Sequence, residues 1–320
     1  MLEMGGCLPL EFLQTKNDPF QKYSKLELNS GRACFYEAVI RYGAETVYLP
    51  FYLCPTVKAF FLKQGVHVIE YNIDEHFQPQ NFHLSNSDML IWTNYYGCML
   101  DDTIDTLANQ YGEQLIIDNT QAFFCRPREK AWNVYSCRKF FGVPEGAYLV
   151  HENLEQGTWS TEVKGWAYLQ TAFLQNSDCA YTDYLENDNR FCLHSGKMSL
   201  LTRQYLNAVD YEKVRKKRTA NFSHLHQLLK EKNELKSGMV NFDSQTALMY
   251  PFLQKGNADL RNYLLEKHIF TPTWWKCMLV NNKTTEFEKY MAQNLIPLPI
   301  DQRYSLHDME YLAGKILEKR

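Results

Sequence analysis

The sequence predicts an α/β protein: a mainly parallel sheet with helices on both faces, followed by a smaller α+β unit. Three observations lead there. The chain has 320 residues, 45% hydrophobic and 14% aromatic, which suits one large core with an appendage or about two domains, and offers far more burial than a disordered chain. Its first half alternates short β-rich runs with helical stretches, the pattern of strand–helix–strand crossovers. After about residue 195 that alternation gives way to a long, heavily charged helical pattern. A boundary is therefore expected near 207–210, with residues 1–207 forming the larger unit and 208–320 the smaller.

Thr46–Pro50, Val66–Tyr71, Met89–Thr93, Leu115–Asp118, Trp132–Ser136 and Gly146–His151 are short, rich in Val, Ile, Leu and aromatic residues, and bounded by Gly, Asn, Asp or Pro, so each predicts a strand. Arg32–Tyr42, Pro55–Gln64 and Asp102–Tyr111 lie between them and predict helices. Asp210–Asn233 predicts one long helix, with Asp210 and Glu212 at its positive end and a basic run, Lys213–Arg218, expected on a solvated face. Asn241–Pro251 then predicts a strand and Asp259–Lys267 a helix. Ser305–Glu318 predicts another helix, with Ser305 as N-cap and Asp308 at its third position.

Several function classes are excluded by composition. Lys and Arg total 34 against 37 Asp and Glu, a net charge of −3, whereas a dedicated nucleic-acid binder carries a basic surplus. The apolar stretches fall far short of the roughly 18 residues that argue for a membrane helix. Met1–Leu10 contains Glu3 and no basic segment followed by an apolar run, so no signal peptide is expected, and the chain is read as cytoplasmic. Nine cysteines, odd in number and never spaced as CxxC, predict reduced thiols and not a disulfide framework or zinc ribbon. His224 and His226 are two apart on a helix and do not face each other, so no metal is expected. Neither GxGxxG nor GxxxxGK[ST] occurs, which leaves dinucleotide and P-loop readings without support.

Three segments fall where a parallel sheet places its ligands, at the carboxyl ends of strands and the starts of helices. In Asn29-Ser30-Gly31-Arg32-Ala33, Ser30 is suited to cap a helix, Gly31 lets the backbone approach closely, and the free N–H groups of the first turn attract an anion; a plain capped helix start is the alternative. In Leu115–Gln121 an apolar strand ends in Asp118, with Gln121 three residues on; the carboxylate either meets a buried cation or merely shapes a turn. In Tyr135–Gly146, Lys139 lies between a strand end, Arg138 and the pair Phe140-Phe141. Partial desolvation and the neighbouring guanidinium both disfavour its protonated form, which favours nucleophilic amine chemistry; the alternative is a surface lysine with a buried stem. Ser136 and Arg138 are both able to hold a phosphate.

An anion site, a strand-end aspartate and then a lysine one strand later, in that order, meet the three needs of pyridoxal 5′-phosphate: a helix N-terminus for its phosphate, a carboxylate for its pyridinium, an amine for its aldehyde. Here the sequence resembles the aspartate-aminotransferase-type (fold type I) pyridoxal-phosphate enzymes, and within them the DegT/DnrJ/EryC1/StrS sugar aminotransferases. Ser30-Gly31-Arg32-Ala33 resembles that group's Ser-Gly-Thr-Ala phosphate turn, with Arg32 in place of Thr. Leu49–Cys54 resembles the segment that supplies a plate over the cofactor ring, a role expected for Tyr52. Thr93–Gly97 resembles the His/Asn-x-Tyr-Gly stretch, and Leu298–Tyr304 the common C-terminal ending.

The resemblance implies that Lys139 carries the cofactor and serves as general base and acid, that Asp118 partners the pyridine nitrogen, and that Gln121 meets the ring hydroxyl. Ser136 stands only three residues before Lys139, closer than the family's serine. The implied activity is transfer of an amino group, by default from glutamate, to a nucleotide-linked keto-sugar, in a homodimer. A pyridoxal-phosphate lyase or desulfurase acting on an amino acid is a second reading, and a cofactor-binding regulatory paralogue, suggested by the Arg32 change, a third. Tyr95, Trp274 of the pair Trp274-Trp275, and Arg303 are candidate substrate contacts, with core packing or a structural ion pair as the alternatives; Arg203 and Arg190 are weaker candidates of the same kind. Cys137, beside the lysine, is expected to be small-residue packing.

Overall fold

The computed structural model describes residues 17–152, 154–163, 165–176, 178–190, 195–243 and 245–319. Met1–Leu10, Cys7 and Cys192 lie outside them. The larger part of the chain runs β1 (Lys25–Leu28), α1 (Gly31–Tyr42), β2 (Thr46–Pro50), α2 (Pro55–Lys63), β3 (His67–Ile73), β4 (Pro79–Gln80), β5 (Asp88–Thr93), α3 (Asp101–Tyr111), β6 (Leu115–Asp118), β7 (Trp132–Ser136) and β8 (Ala147–Val150). Three helices follow, α4 (Ala167–Leu174), α5 (Tyr181–Arg190) and α6 (Leu200–Asn207), then α7 (Tyr211–Leu229), β9 (Tyr250–Leu253), α8 (Ala258–Glu266), α9 (Glu286–Asn294), β10 (Leu295–Leu298) and α10 (Leu306–Glu318).

Eight of these strands form one sheet in the order β1-β8-β7-β6-β5-β2-β3-β4, and β9 pairs with β10 in a second, antiparallel one. The run β3-β2-β5-β6-β7 is parallel, β8 and β4 join its two edges antiparallel, and β1 pairs antiparallel with β8, so it runs in the direction of the parallel strands. This is the mainly parallel α/β architecture that the alternation predicts. Every residue of β5, β6, β7 and β8 is buried, as in a sheet covered on both faces. The two-residue period sorts their side chains between the covers. Met89, Ile91 and Ile116 pack with Ala33, Phe35 and Val39 of α1 and Val57 and Phe61 of α2. Leu90, Trp92, Leu115 and Ile117 point the other way, into a core shared with α7 to α10.

The order of the strands reverses between β2 and β5, so the chain leaves their carboxyl ends in diverging directions and opens a crevice there. Every strand predicted in the first half is present. β1 and β4 are additional, and so are α4, α5, α6, α9 and β10.

Two expectations need correction. Asn241–Pro251 is not a continuous strand: only Tyr250–Leu253 pairs in a ladder. The segment before it docks instead on the loop after β5, where Asn241 N donates to Cys98 O (2.6 Å) and Leu248 N to Tyr96 O (3.3 Å), while Val240 and Phe242 supply core. The basic run on α7 is not wholly solvated either. Lys213, Arg215 and Lys216 are exposed, but Arg218 is buried.

Candidate active site

The site grows from the start of α1. Ser30 is extended (φ −156°) and its hydroxyl accepts from Ala33 N at 3.2 Å, which caps the helix and leaves other first-turn N–H groups free to meet an anion. A β-carbon at Gly31 would stand 3.1 Å from Thr120 Cγ2, so a glycine here lets the helix start press against the loop after β6.

That loop carries two polar groups toward the same point. Asp118, at the end of β6 and opposite Thr93 of β5, is 3% exposed, and its Oδ1 accepts from Thr120 N at 2.9 Å. Lys139, in the turn after β7, donates from Nζ to Thr120 Oγ1 at 2.9 Å. Thr120 thus joins the two charged residues. Solvent reaches the Lys139 side chain, yet protein surrounds its amine closely enough that desolvation dominates its titration. Its pKa is lowered by burial first, against the attraction of Asp118, with Arg138 and Arg32 adding to the depression. Burial pushes the Asp118 carboxyl up, opposed by Lys139 and by hydrogen bonds from Thr120. A lysine with a weakened hold on its proton is a better nucleophile.

Arginines line one side. Arg32, 9% exposed, donates from Nη1 to Thr56 Oγ1 at 2.9 Å and brings Nη2 to 3.9 Å from Asp188 Oδ1 on α5. Arg138 donates to the same Asp188 oxygen. On the other side, Gln121 is 3% exposed and its Oε1 accepts from Tyr96 N at 2.8 Å. Gly97 makes that contact possible: its φ is +76°, and a β-carbon there would come within 2.5 Å of Gln121 O.

The structure therefore brings Ser30, Gly31, Arg32, Asp118, Arg138 and Lys139 into one neighbourhood; Ala33 completes the cap and Ser136 is buried at the end of β7. Tyr52 is fully buried, and its partners are aromatic. Its hydroxyl meets the Tyr96 hydroxyl at 3.0 Å, its carbonyl accepts from Tyr95 OH at 2.9 Å, and the edge of Trp275 lies 4.5 Å away between centroids. Cys54, two residues on, is the member of this segment whose thiol is felt at Lys139, and its Sγ meets Thr56 Oγ1 at 3.1 Å. Trp274 stacks on Tyr96 at 6.2 Å and on Trp275 at 5.7 Å, so the paired indoles pack on the loop after β5. Arg303 commits its fork to Asp301 (2.7 and 2.8 Å), and Arg203 lies 3.6 Å from Glu27. His226 stacks flat on Phe242 at 4.5 Å, and no cluster of metal-ligating side chains occurs among the described residues.

Sequence reasoning assigned no role to Thr120, although it lies inside the Asp118–Gln121 motif, nor to Asp188, which belongs to a helix it did not find. It also missed Arg218, whose guanidinium stacks 4.7 Å over the Phe140 ring and donates to Gln302 Oε1 (2.9 Å) and to Ala247 and Leu248 carbonyls (3.2 and 3.1 Å). Gln302 in turn donates to Phe140 O at 2.8 Å, which ties the small unit to the turn that carries Lys139.

No family model and no curated protein matches this sequence. Solved structures do. CalS13, a sugar aminotransferase from Micromonospora echinospora, aligns over 92% of this chain and 87% of its own, with a TM-score of 0.61 and 12% identity. A DegT DnrJ EryC1 StrS aminotransferase from Brucella abortus aligns over 93% and 86%, with a TM-score of 0.57 and 12% identity. NtdA from Bacillus subtilis, solved with bound cofactor PMP, aligns over 93% and 73%, with a TM-score of 0.61 and 14% identity. This chain has the fold of the DegT/DnrJ/EryC1/StrS-type aminotransferases. The likeness covers more than nine-tenths of the chain, and at such identities it is a likeness of fold, so the chemistry must be argued from this chain's own residues. Those residues are an amine of lowered pKa, a buried carboxylate bridged to it by a hydroxyl, and a helix N-terminus flanked by two arginines.

Proposed function

We propose that the protein is a pyridoxal-phosphate-dependent aminotransferase of the sugar-modifying type, taking an amino group from glutamate and delivering it to a nucleotide-linked keto-sugar. One observation carries the reading: Lys139 and Asp118 meet through Thr120 beside the start of α1, so the amine, the acid and the anion site that this cofactor needs share one cleft. The residues fit the group. Asp118 is a buried carboxylate whose burial is unfavourable without a cation near it, which a protonated pyridine nitrogen supplies. Gln121 spends its Oε1 on Tyr96 N and donates its Nε2 to no protein group among the described residues, which leaves that N–H for a ring oxygen. The capped turn at Ser30–Ala33, with Arg32 and Arg138 beside it, suits a phosphate dianion.

Pyridoxal phosphate, when bound, supplies the carbonyl that takes up an amino group and a ring that accepts an electron pair. The protein supplies the rest. Lys139 Nζ, whose pKa burial lowers, is the amine that would hold the cofactor's aldehyde. The same amine, when free, would serve as the general base and acid that moves the proton of the donor's α-carbon. Asp118 would hold a proton on the cofactor's pyridine nitrogen. Thr120 restrains the lysine on the side of the cleft where both tasks are done. Trp274 and Trp275, stacked at the small unit's edge, offer faces on which a sugar ring packs. An exposed apolar surface on α4 and α5 that includes Phe173, Leu174 and Tyr181 supports the homodimer that the resemblance implies.

The test is spectral. Protein loaded with pyridoxal phosphate should absorb in the visible, and glutamate should bleach that band as the cofactor is converted to its amine form. A protein that takes up the cofactor but keeps its band with glutamate while releasing product from another amino acid would instead be a lyase.

A further inference from the structure

Of the cysteines among the described residues, Cys34, Cys98 and Cys137 are fully buried, out of reach of a dissolved oxidant. Cys125 is half-buried, but its sulfur accepts from Arg128 Nη1 at 3.2 Å. Cys54 and Cys277 differ from all of these. Both are half-buried, and both line one cavity of about 180 Å³, with Leu49, Pro50, Phe51 and Met278. Cys54 comes from the turn into α2, and Cys277 from a short 3₁₀ turn, Lys276–Leu279, far along the chain. Burial pushes the Cys277 thiol up, and the charge of a Cys54 thiolate adds to it, so the two sulfurs that share the cavity are also within electrostatic reach of each other.

Protein interiors leave few voids of this size, and this one gives the sulfurs room to turn toward each other. The segment that carries Cys277 is held under strain. Trp275 has φ +56°, a left-handed backbone that a bulky side chain rarely adopts. Its ring meets Tyr52 edge-on at 4.5 Å, while Lys276, Leu279 and Val280 beside it are exposed. Cys54 reaches toward the site as well. Its charge is felt at Lys139, and its Sγ shares Thr56 Oγ1 with Arg32 Nη1, at 3.1 and 2.9 Å. A bond between the two sulfurs would therefore act on the aromatic cluster and on the hydroxyl that holds Arg32.

We propose that Cys54 and Cys277 are a redox pair, reduced at rest and closed to a disulfide by hydrogen peroxide, which fastens the 274–279 segment to the start of α2 and stops turnover at the neighbouring site. One sulfur attacks peroxide, the O–O bond breaks, and a sulfenic acid and water result. The second thiol attacks that sulfur, the hydroxyl leaves as water, and the S–S bond forms. Two thiols and one peroxide become one disulfide and two waters, the sulfurs losing the two electrons that peroxide gains. A thiol reductant reverses the change by exchange. The loss of turnover rests on the function proposed above; the bond between the sulfurs does not.

The experiment treats the full chain, incubated with pyridoxal phosphate, with hydrogen peroxide, alkylates the remaining thiols, and maps the digest by mass spectrometry without reductant. The expected product is a pair of peptides joined through Cys54 and Cys277 and released by dithiothreitol. Amide exchange across 274–279 should slow about tenfold or more, and bleaching of the visible band by glutamate should be lost. Cys277→Ser should keep that bleaching and lose its sensitivity to peroxide, with Cys54 left as a sulfenic acid that dimedone captures. No joined pair, joining to a different cysteine, or a Cys277→Ser protein as sensitive as the wild type overturns the proposal. A joined pair in protein that takes up no cofactor would keep the thiol pair and remove the aminotransferase reading. A visible band that glutamate bleaches, with no joined pair after peroxide, would do the reverse.

Discussion

Lys139 Nζ donates to Thr120 Oγ1 at 2.9 Å, although the two residues come from different strand ends. The contact closes a short path, because the backbone N–H of Thr120 is already bound to Asp118. The bond fixes where the amine stands when it is not bonded to anything else. Thr120→Val keeps the shape and removes the hydroxyl. It should change the pH at which the visible band of the loaded protein titrates and cut turnover about tenfold or more, while Thr120→Ser restores both. A Val variant with the wild-type titration midpoint would remove Thr120 from any positioning role.

Asp118 is expected to act through its charge. Asp118→Asn should fold and still take up cofactor, but lose about a hundredfold or more in turnover, the scale seen when one preorganised electrostatic partner is removed. Single-turnover bleaching of the band by glutamate measures the loss directly. Undiminished bleaching would mean that the carboxylate serves only the turn.

Glu145 gives the fold a pH dependence of its own. It is 2% exposed, accepts from Ser199 N (3.1 Å) and Ser199 Oγ (2.8 Å), and leaves Oε2 buried without a partner among the described residues. Burial raises its pKa from 4.5 to about 7, with the nearby Thr202 side chain and the bonds from Ser199 pulling the other way. The folded state therefore binds a proton that the unfolded state releases above pH 4.5. The stability from this group is fully present below that pH and is lost as pH rises through about 7. Glu145→Gln should remove up to about 3 kcal/mol of pH-dependent difference, seen by comparing urea midpoints of the two proteins at pH 4.5 and pH 7.5. A difference that stays constant across this range would contradict the assignment.

Gly97→Ala tests the loop that holds Gln121. The new β-carbon meets the Gln121 carbonyl at 2.5 Å and the backbone has φ +76°, so both sterics and conformation oppose it. A loss of at least about 2 kcal/mol is expected from urea unfolding. A neutral result would show that the 95–97 turn relaxes freely. For Arg218 the relevant change is Arg218→Met, which leaves the Ala247 and Leu248 carbonyls and Gln302 without their donor; on the order of 3 kcal/mol should be lost.

The first half of the chain was legible because its strands are short, apolar and punctuated, and because each site residue lies at a strand end that the pattern itself marks. Asp118 and Lys139 follow apolar runs directly. Ser30 and Gly31 announce a helix start. The second half hid more. Leu295–Leu298 is four residues long and contains Pro297, which argues against a strand, yet it pairs with Tyr250–Leu253. Arg218 reads as one more cation in a basic run, and only the packing of α7 on Phe140 shows that it faces inward. Asp188 carries no local signal at all: its importance arises from two arginines that are 156 and 50 residues away in sequence. In Leu49–Cys54 the register is undecided by composition, and the fold sends Tyr52 into the aromatic cluster while it leaves Cys54 near Lys139.

The most direct measurement is to reduce the pyridoxal-phosphate-loaded protein with borohydride, digest it, and locate the modified residue by mass spectrometry. The account predicts a single phosphopyridoxyl adduct on Lys139, together with loss of the visible band in Lys139→Ala. An adduct on another lysine, or a Lys139→Ala protein that keeps its band, would contradict it.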